Sequence, residues 1–476
     1  MSVSSRMRRP EPAAARPIAA PPPLAAQMFV EAVERHQRGR LSESEALYRA
    51  ILAIEPAHAE AAYNLGVLMQ TQGRLPDAIA VYRHALTHRP DFAAVYTNLG
   101  AALQDVGQLD DAVAIHRCAV SLGPESALAA CNLGAALRAQ GNIAEAIAAF
   151  RRALALQPDY DTALANLGAA LLDQGEAVAA LAACRHATAA NPRSALAQCN
   201  LGAACKALNQ LDEAEAAYRR ALALRPDFIE AHFSLAQILL LKGDLAAGWP
   251  EYEWRWKLPE YAWLQALHGE FAQPRWAGEP LDGRTVLVYA EQGLGDTLQF
   301  VRFLPQIAGR GGRIVLAVQP PLLKLLDGIA GADVIPLDRK PLPYFDVHLP
   351  LLSLPCVLGA SLETIPSQVP YLSAESALVG SWRRRLRGPR LKIGVVWAGN
   401  PNQRGDRFRS PHLPAVMPLF AVPDVDFVAL QLGAGRDDLA ANPLPPNVLD
   451  LGPEITDFAD TAAIMASLDL VITSCT

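Results

Sequence analysis

No apolar run in the 476 residues approaches the roughly 20 needed to cross a bilayer, so no membrane-spanning helix is expected. There is no excess of charge of either sign. With 42 Lys and Arg against 48 Asp and Glu, the net charge is −6 with both signs mixed, which removes nucleic acid and anionic membrane from the expected partners. The one basic run, WRRRLR at 382–387, suits the end of a helix, where arginines complement the dipole. The seven cysteines form no CxxC and no metal-ligand spacing, and no DxD pair follows a strand-like run. Neither a disulfide framework nor a metal site is expected, no cofactor is implied, and reduced thiols suit a cytoplasmic chain. The first 23 residues hold six prolines and four arginines but no continuous apolar stretch, so residues 1–24 read as a disordered leader rather than a secretory signal.

What is present is order of a different kind. NLG recurs at Asn64, Asn98, Asn132, Asn166 and Asn200, always 34 residues apart. Glycines at 39, 73, 107, 141, 175 and 243 keep the step, with Asn209 in the gap, and prolines at 56, 90, 124, 158, 192 and 226 keep it too. Within 59–92, Leu65, Leu68 and Met69 give a first helix an apolar stripe, and Ile79, Tyr82 and Leu86 continue it on a second. Gly66 is expected to let the second helix approach opposite Ala78, Gly73 to end the first helix in the left-handed conformation, and Asp91 to cap the next. One such pair cannot bury its apolar face, so the units must stack into a solenoid with a groove.

The period and its Gly, Ala and Pro positions resemble the tetratricopeptide repeat (TPR) family, with six full units from about residue 25 and a degenerate seventh near Ile229, ending at 247. Five asparagines in one register can form a ladder of donors and acceptors for an extended peptide backbone. Such a ladder holds protein substrates in the O-linked N-acetylglucosamine transferases, but Asn at this position is common in the repeat generally, including in pure scaffolds. Both readings stay open, with a peptide or protein partner expected in the groove.

At Gly248 the composition changes. Residues 248–284 carry five of the seven tryptophans (249, 254, 256, 263 and 276), which suits a joint between solenoid and next domain better than a sugar subsite. From 285 the order is strand and helix in alternation: TVLVYA, RIVLAV, DVIPL and FDVHLP in 285–389, then LKIGVVWAG, DFVALQ, VLDLG and DLVIT in 390–476. The expected fold class is therefore α plus α/β, a helical solenoid followed by two Rossmann-like α/β domains. The loop EQGLGDTLQF lacks the third glycine of a dinucleotide fingerprint, where Leu298 stands, and Gln319 stands where a ribose-binding acid belongs, so an NAD-dependent oxidoreductase is disfavoured.

EYEWRW, EQGLGDTLQF, PLLSLP, IPSQVPYL, VVWAGNP with RFRS, and DFADTAAIMASLDLVIT, in that order from about Ile229 onward, look like bacterial TPR proteins whose second half is similar to glycosyltransferase family 9, the heptosyltransferases. The resemblance implies a GT-B architecture and transfer of a sugar from a nucleotide-sugar donor by an inverting, metal-independent mechanism. It makes Asp296 the general base on the acceptor side, in a loop with Glu291, Gly293, Gly295 and Gln299. The bland alternative makes Asp296 the N-cap of a helix from Thr297 to about Ala308. On the donor side the resemblance points to Gly399, Asn400, Arg404, Arg409, Ser410, Gln431 and Thr476, where the arginines suit a diphosphate, although a solvated turn explains them too. The family pattern continues past the residues matching Ser474 to Thr476 with a phosphate-binding helix, so the donor domain is expected to be incomplete in this chain. The competing function is a TPR scaffold whose transferase-like half is inactive or incomplete.

Overall fold

The computed structural model describes residues 24–263, 271–401, 406 and 409–474, and its contacts divide the chain into two compact units that meet at Pro226 and Asp227. The first unit is a helical solenoid. Its first-position helices begin at Ala59, Ala93, Ala127, Asp161 and Ala195, and its second-position helices at Leu41, Leu75, Leu109, Ile143, Ala177 and Leu211, both on the 34-residue step. The left-handed ends are where the sequence puts them, with Gly73 at φ 75° and Asn209, the one non-glycine in the series, at φ 58°.

The close approach inside each pair is made at the glycine, as expected, and most often under an aromatic ring. Gly66 lies under the ring of Tyr82, and a Cβ at Gly66 would sit 2.4 Å from that ring; in the equivalent place Gly168 also has the Ala180 carbonyl, the counterpart of Ala78, 3.4 Å from such a Cβ. The same glycine-to-aromatic step of sixteen residues recurs as Gly134 with Phe150 and Gly202 with Tyr218. The ring needs the whole space that a side chain on the facing helix would fill, so position and partner are chosen together. Asp91 does not cap the next helix. The N-cap is one residue later, at Phe92, which gives no side-chain bond, whereas Ser126 and Ser194 in the same register accept from Ala129 and Ala197 N–H at 3.1 and 3.2 Å.

The second unit opens with a seventh helical pair, Ile229–Leu241 and Leu245–Tyr252, followed by short turns through Tyr261. Two parallel four-stranded sheets follow. The first contains β1 (Thr285–Tyr289), β2 (Arg313–Val318), β3 (Asp333–Pro336) and β4 (Val347–Pro350), in the order β3-β2-β1-β4. The second contains β5 (Leu391–Val396), β6 (Val425–Ala429), β7 (Val448–Asp450) and β8 (Leu470–Thr473), in the order β7-β6-β5-β8. Both are registered strand to strand in parallel throughout.

The first sheet is buried on both faces, as parallel sheets require. Val286, Val288, Leu316 and Leu349 face one apolar cluster, and Leu287, Tyr289, Val315 and Ala317 face the other. The Trp-rich segment reaches both: Trp249 and Tyr252 pack on the first cluster and Trp256 on the second. In the second sheet β8 is an edge strand with Leu470 and Ile472 exposed. Among the described residues no helix is long and apolar enough to cross a membrane.

In the third pair a histidine takes the aromatic position. His116 lies over Gly100, is fully buried, and its Nε2 is 3.0 Å from Gln104 Oε1, just as Tyr82 O–H donates to Gln70 Oε1 at 2.9 Å. Its Nδ1 has no hydrogen-bond partner among the described residues. Burial pushes its pKa down to about 4. The unfolded chain then binds more protons than the folded one between pH 6.5 and 4, so the contribution to stability is full above the unfolded pKa and is lost on acidification. The solenoid should be roughly 2 kcal/mol less stable at pH 5 than at pH 7 on this account. His116→Tyr should remove most of that difference in urea melts followed by circular dichroism; an unchanged pH dependence would locate the effect elsewhere.

Candidate functional site

In each sheet the chain leaves a central strand in both directions, with β1 between β2 and β4, and β5 between β6 and β8. Ligands of open parallel sheets bind beyond the carboxyl ends of the strands at such reversals. The two crevices of this chain are built differently.

Beyond β1 and β4 the crevice is filled from within. Arg255, from the turn Glu253–Lys257, is fully buried, and its Nη2 donates to Glu291 Oε1 at 2.7 Å and to Ser353 Oγ at 2.9 Å. Its Nη1 donates to Glu253 Oε1 at 2.7 Å and to the Tyr252 carbonyl at 3.2 Å. Arg275 bonds Glu253 and Ser353 from the other side. Burial pushes the Glu253 carboxyl up, but Arg255 and Arg275 outweigh it and hold the group below its usual range. For Glu291 burial wins over Arg255 and its carboxyl is pushed up. Glu291, expected at an acceptor surface, therefore points inward, and its carboxylate also accepts from Leu352 N–H at 3.1 Å. Sequence reasoning did not single out Arg255. The signal was there in the one cation of EYEWRW, set between two tryptophans with an acid two residues earlier.

The loop that follows is held at several points. Gln292 Nε2 donates to Tyr252 O–H at 2.8 Å, and the Gln292 carbonyl accepts from Gln319 Nε2 at 2.7 Å. Gln319 Oε1 in turn accepts from Thr297 Oγ1 at 3.0 Å. The residue that rules out a ribose site thus serves as a clamp on the loop. The helix begins at Leu294, three residues earlier than expected, with Gly293 as N-cap and Asp296 in its first turn. Asp296 is therefore not the N-cap; its Oδ2 reaches back to accept from Gly293 N–H at 3.0 Å. The side chain is half-buried, and burial pushes its pKa up against that hydrogen bond. Gly293, Gly295 and Gln299 are exposed beside it, and a Cβ on Gly295 would meet nothing within 4 Å.

The second crevice is open. A cleft of about 390 Å³ beyond β5 and β8 is lined by Arg409, Ser410, Pro411, Thr473 and Ser474 with Val395 and Ile472 behind them. Ser410 Oγ accepts from Gly399 N–H at 2.9 Å and donates to Asp406 Oδ1 at 2.7 Å, which pins the loop after β5. Ser474 Oγ is buried without a hydrogen-bond partner among the described residues. Asn400 is exposed beside Gly399. Gln431 is turned inward. Its Oε1 accepts from Trp397 and Ala398 N–H at 2.9 Å each, and its Nε2 donates to the Ala398 and Leu432 carbonyls at 2.9 and 2.8 Å. All four amide directions are taken, so Gln431 shapes the strand ends and has nothing to offer a ligand. Arg404 and Thr476 lie outside the described residues.

The asparagine row is not a set of five free amides. Asn98 Nδ2 donates to Tyr63 O–H at 3.2 Å, and Asn200 Nδ2 donates to the Ala165 carbonyl at 2.8 Å, each reaching the first-position helix of the preceding pair. Asn64 and Asn166 meet Tyr48 and Cys131.

Comparison with known proteins places the repeats. A family model described as TPR repeat matches residues 71–107, 134–175 and 202–243, and the chain carries TPR repeats. Protein FlbA of Caulobacter vibrioides (strain ATCC 19089 / CIP 103742 / CB 15) is 29% identical over 275 residues, covering 52% of this chain and 45% of that protein. The chain thus spans less than half the length of that relative. Among solved structures, MamA protein is 27% identical over 36% of this chain and 92% of its own, with a TM-score of 0.31. A tetratricopeptide repeat protein from Parabacteroides merdae ATCC 43184 is 16% identical over 48% of this chain and 91% of its own, with a TM-score of 0.44.

Because the amides of Asn98 and Asn200 join neighbouring repeats, Asn98→Ala and Asn200→Ala should each lower solenoid stability by about 0.5–1.5 kcal/mol. Asn132, for which no such bond is found among the described residues, should tolerate alanine. Denaturant melts of the three variants check this, and equal losses at all three positions would contradict it.

Proposed function

We propose that the chain is a TPR-bearing glycosyltransferase-like protein, its groove holding a peptide or partner protein and its second unit transferring a sugar from a nucleotide-sugar. The observation that supports this best is the open cleft beyond β5 and β8, lined by Arg409 and by Ser410, which holds the Gly399 backbone, at the place where open parallel sheets take their ligands. A guanidinium there suits a diphosphate. Asp296 supplies the other requirement: a half-buried carboxylate at the start of a helix, raised by burial toward the range in which a base works. In the proposed step Asp296 takes the proton of the acceptor hydroxyl as its oxygen attacks the anomeric carbon. The bond from that carbon to the nucleoside diphosphate breaks on the opposite face, and the configuration inverts. A cytoplasmic location fits the donor.

Three measurements test the reading. Titration with UDP-, GDP- and ADP-linked sugars should raise the melting temperature of the second unit, by the equivalent of about 2.7 kcal/mol when ligand stands at a hundredfold its Kd. Absence of any shift with peptide binding intact would favour a scaffold without transferase activity. Asp296→Asn should abolish transfer with little loss of stability, because the amide oxygen can still accept from Gly293 N–H. Transfer by the native chain should rise with pH through an acid limb above the ordinary carboxylate range, since the base must be ionised and burial raises its pKa. Undiminished turnover in Asp296→Asn would remove the assignment.

A further inference from the structure

In doubly wound sheets the crevice at the strand reversal is a place for ligand, yet beyond β1 and β4 it holds the chain's own guanidinium. Arg255 bonds four oxygens there, on Tyr252, Glu253, Glu291 and Ser353. Its guanidinium also lies 4.6 Å from the Tyr252 ring centre and 5.2 Å from that of Trp256. Glu291 Oε2 and Arg255 Nε are buried without hydrogen-bond partners among the described residues.

The consequence lies in the loop. Glu291, Gln292 and Gly293 follow β1 directly, and each is held in turn. Glu291 is anchored by Arg255, Gln292 by Tyr252 and Gln319, and Gly293 donates its N–H to the Asp296 carboxylate. We propose that Arg255 is a positioning residue for Asp296, a resident cation that fills the first crevice and sets the loop from which the Asp296 carboxylate is aimed. This rests on the transfer reading for the role of Asp296, but the positioning itself is independent of substrate. Stability alone does not account for such an arrangement, because a buried ion pair is commonly replaceable by apolar residues of similar volume at no net cost in stability. What an apolar pair cannot reproduce is the directional hold on the loop. Lysine cannot reproduce it either, since one ammonium has no planar fork to span oxygens on both its Glu253 and Glu291 sides.

The test is hydrogen–deuterium exchange by mass spectrometry on the full chain, comparing the native protein with Arg255→Lys, Arg255→Met and the double variant Arg255→Met/Glu291→Leu. The double variant should regain the native melting temperature, yet amides of 291–300 should exchange at least tenfold faster than native while those of β2 stay unchanged. Arg255→Lys should show the same selective loosening. If Arg255→Met does not fold, the double variant carries the comparison. Native exchange of 291–300 in the double variant would overturn the proposal, as would uniform loosening of the whole second unit in every variant. Loosening confined to the loop in a chain that transfers no sugar would leave the positioning standing and remove only the transferase reading.

Discussion

Burying the Arg255 guanidinium costs several kcal/mol unless its partners are already placed around it, and those partners come from three stretches of sequence far apart. Glu253 belongs to the Trp-rich segment, Glu291 to the loop after β1, and Ser353 to the turn after β4. The pair can therefore form only when all three have folded together. The aromatic residues on either side enforce this, because Trp249 and Trp256 enter the clusters on opposite faces of the same sheet. That explains why the seventh helical pair groups with the α/β half rather than with the solenoid whose sequence register it continues. Removing one partner alone is expected to cost about 3–5 kcal/mol.

The solenoid obeys a different constraint. A glycine on one helix admits a ring from the next, sixteen residues on, and the pair is repeated with little change except where His116 and Cys184 replace the ring. The contacts of one repeat are with its neighbours only, so each substitution is a local matter. Inter-repeat ion pairs on the exposed side join residues 28 apart, as in Arg83 with Asp111 and Arg117 with Glu145, and such exposed pairs add little.

Local signals were legible in the sequence and long-range ones were not. The 34-residue period, the left-handed Gly73 and Asn209 and all eight strands are short-range features that composition and alternation reveal. The ring over Gly66 is not legible in the sequence, because Ala78 and Tyr82 lie on the same helix, one turn apart, and only the packed pair shows which side chain covers the glycine. The inward turn of Glu291 and Gln431 could not be read, since their partners lie 36 and 33–34 residues away and carry no motif. Asp296 falls in the first turn of the helix and not at its N-cap, which the sequence does not reveal because a glycine N-cap leaves no mark of its own.

The most direct check on the central claim, that the Trp-rich segment and the sheets form one cooperative body around Arg255, is denaturant unfolding of the whole chain followed by two probes. Tryptophan fluorescence reports chiefly on the segment that holds five of the seven tryptophans, and far-ultraviolet circular dichroism is dominated by the solenoid helices. The account predicts transitions that do not coincide, with the midpoint of the fluorescence transition, and not that of the dichroism, shifted by Arg255→Met. Coincident transitions, or an Arg255→Met shift of both by the same amount, would contradict it.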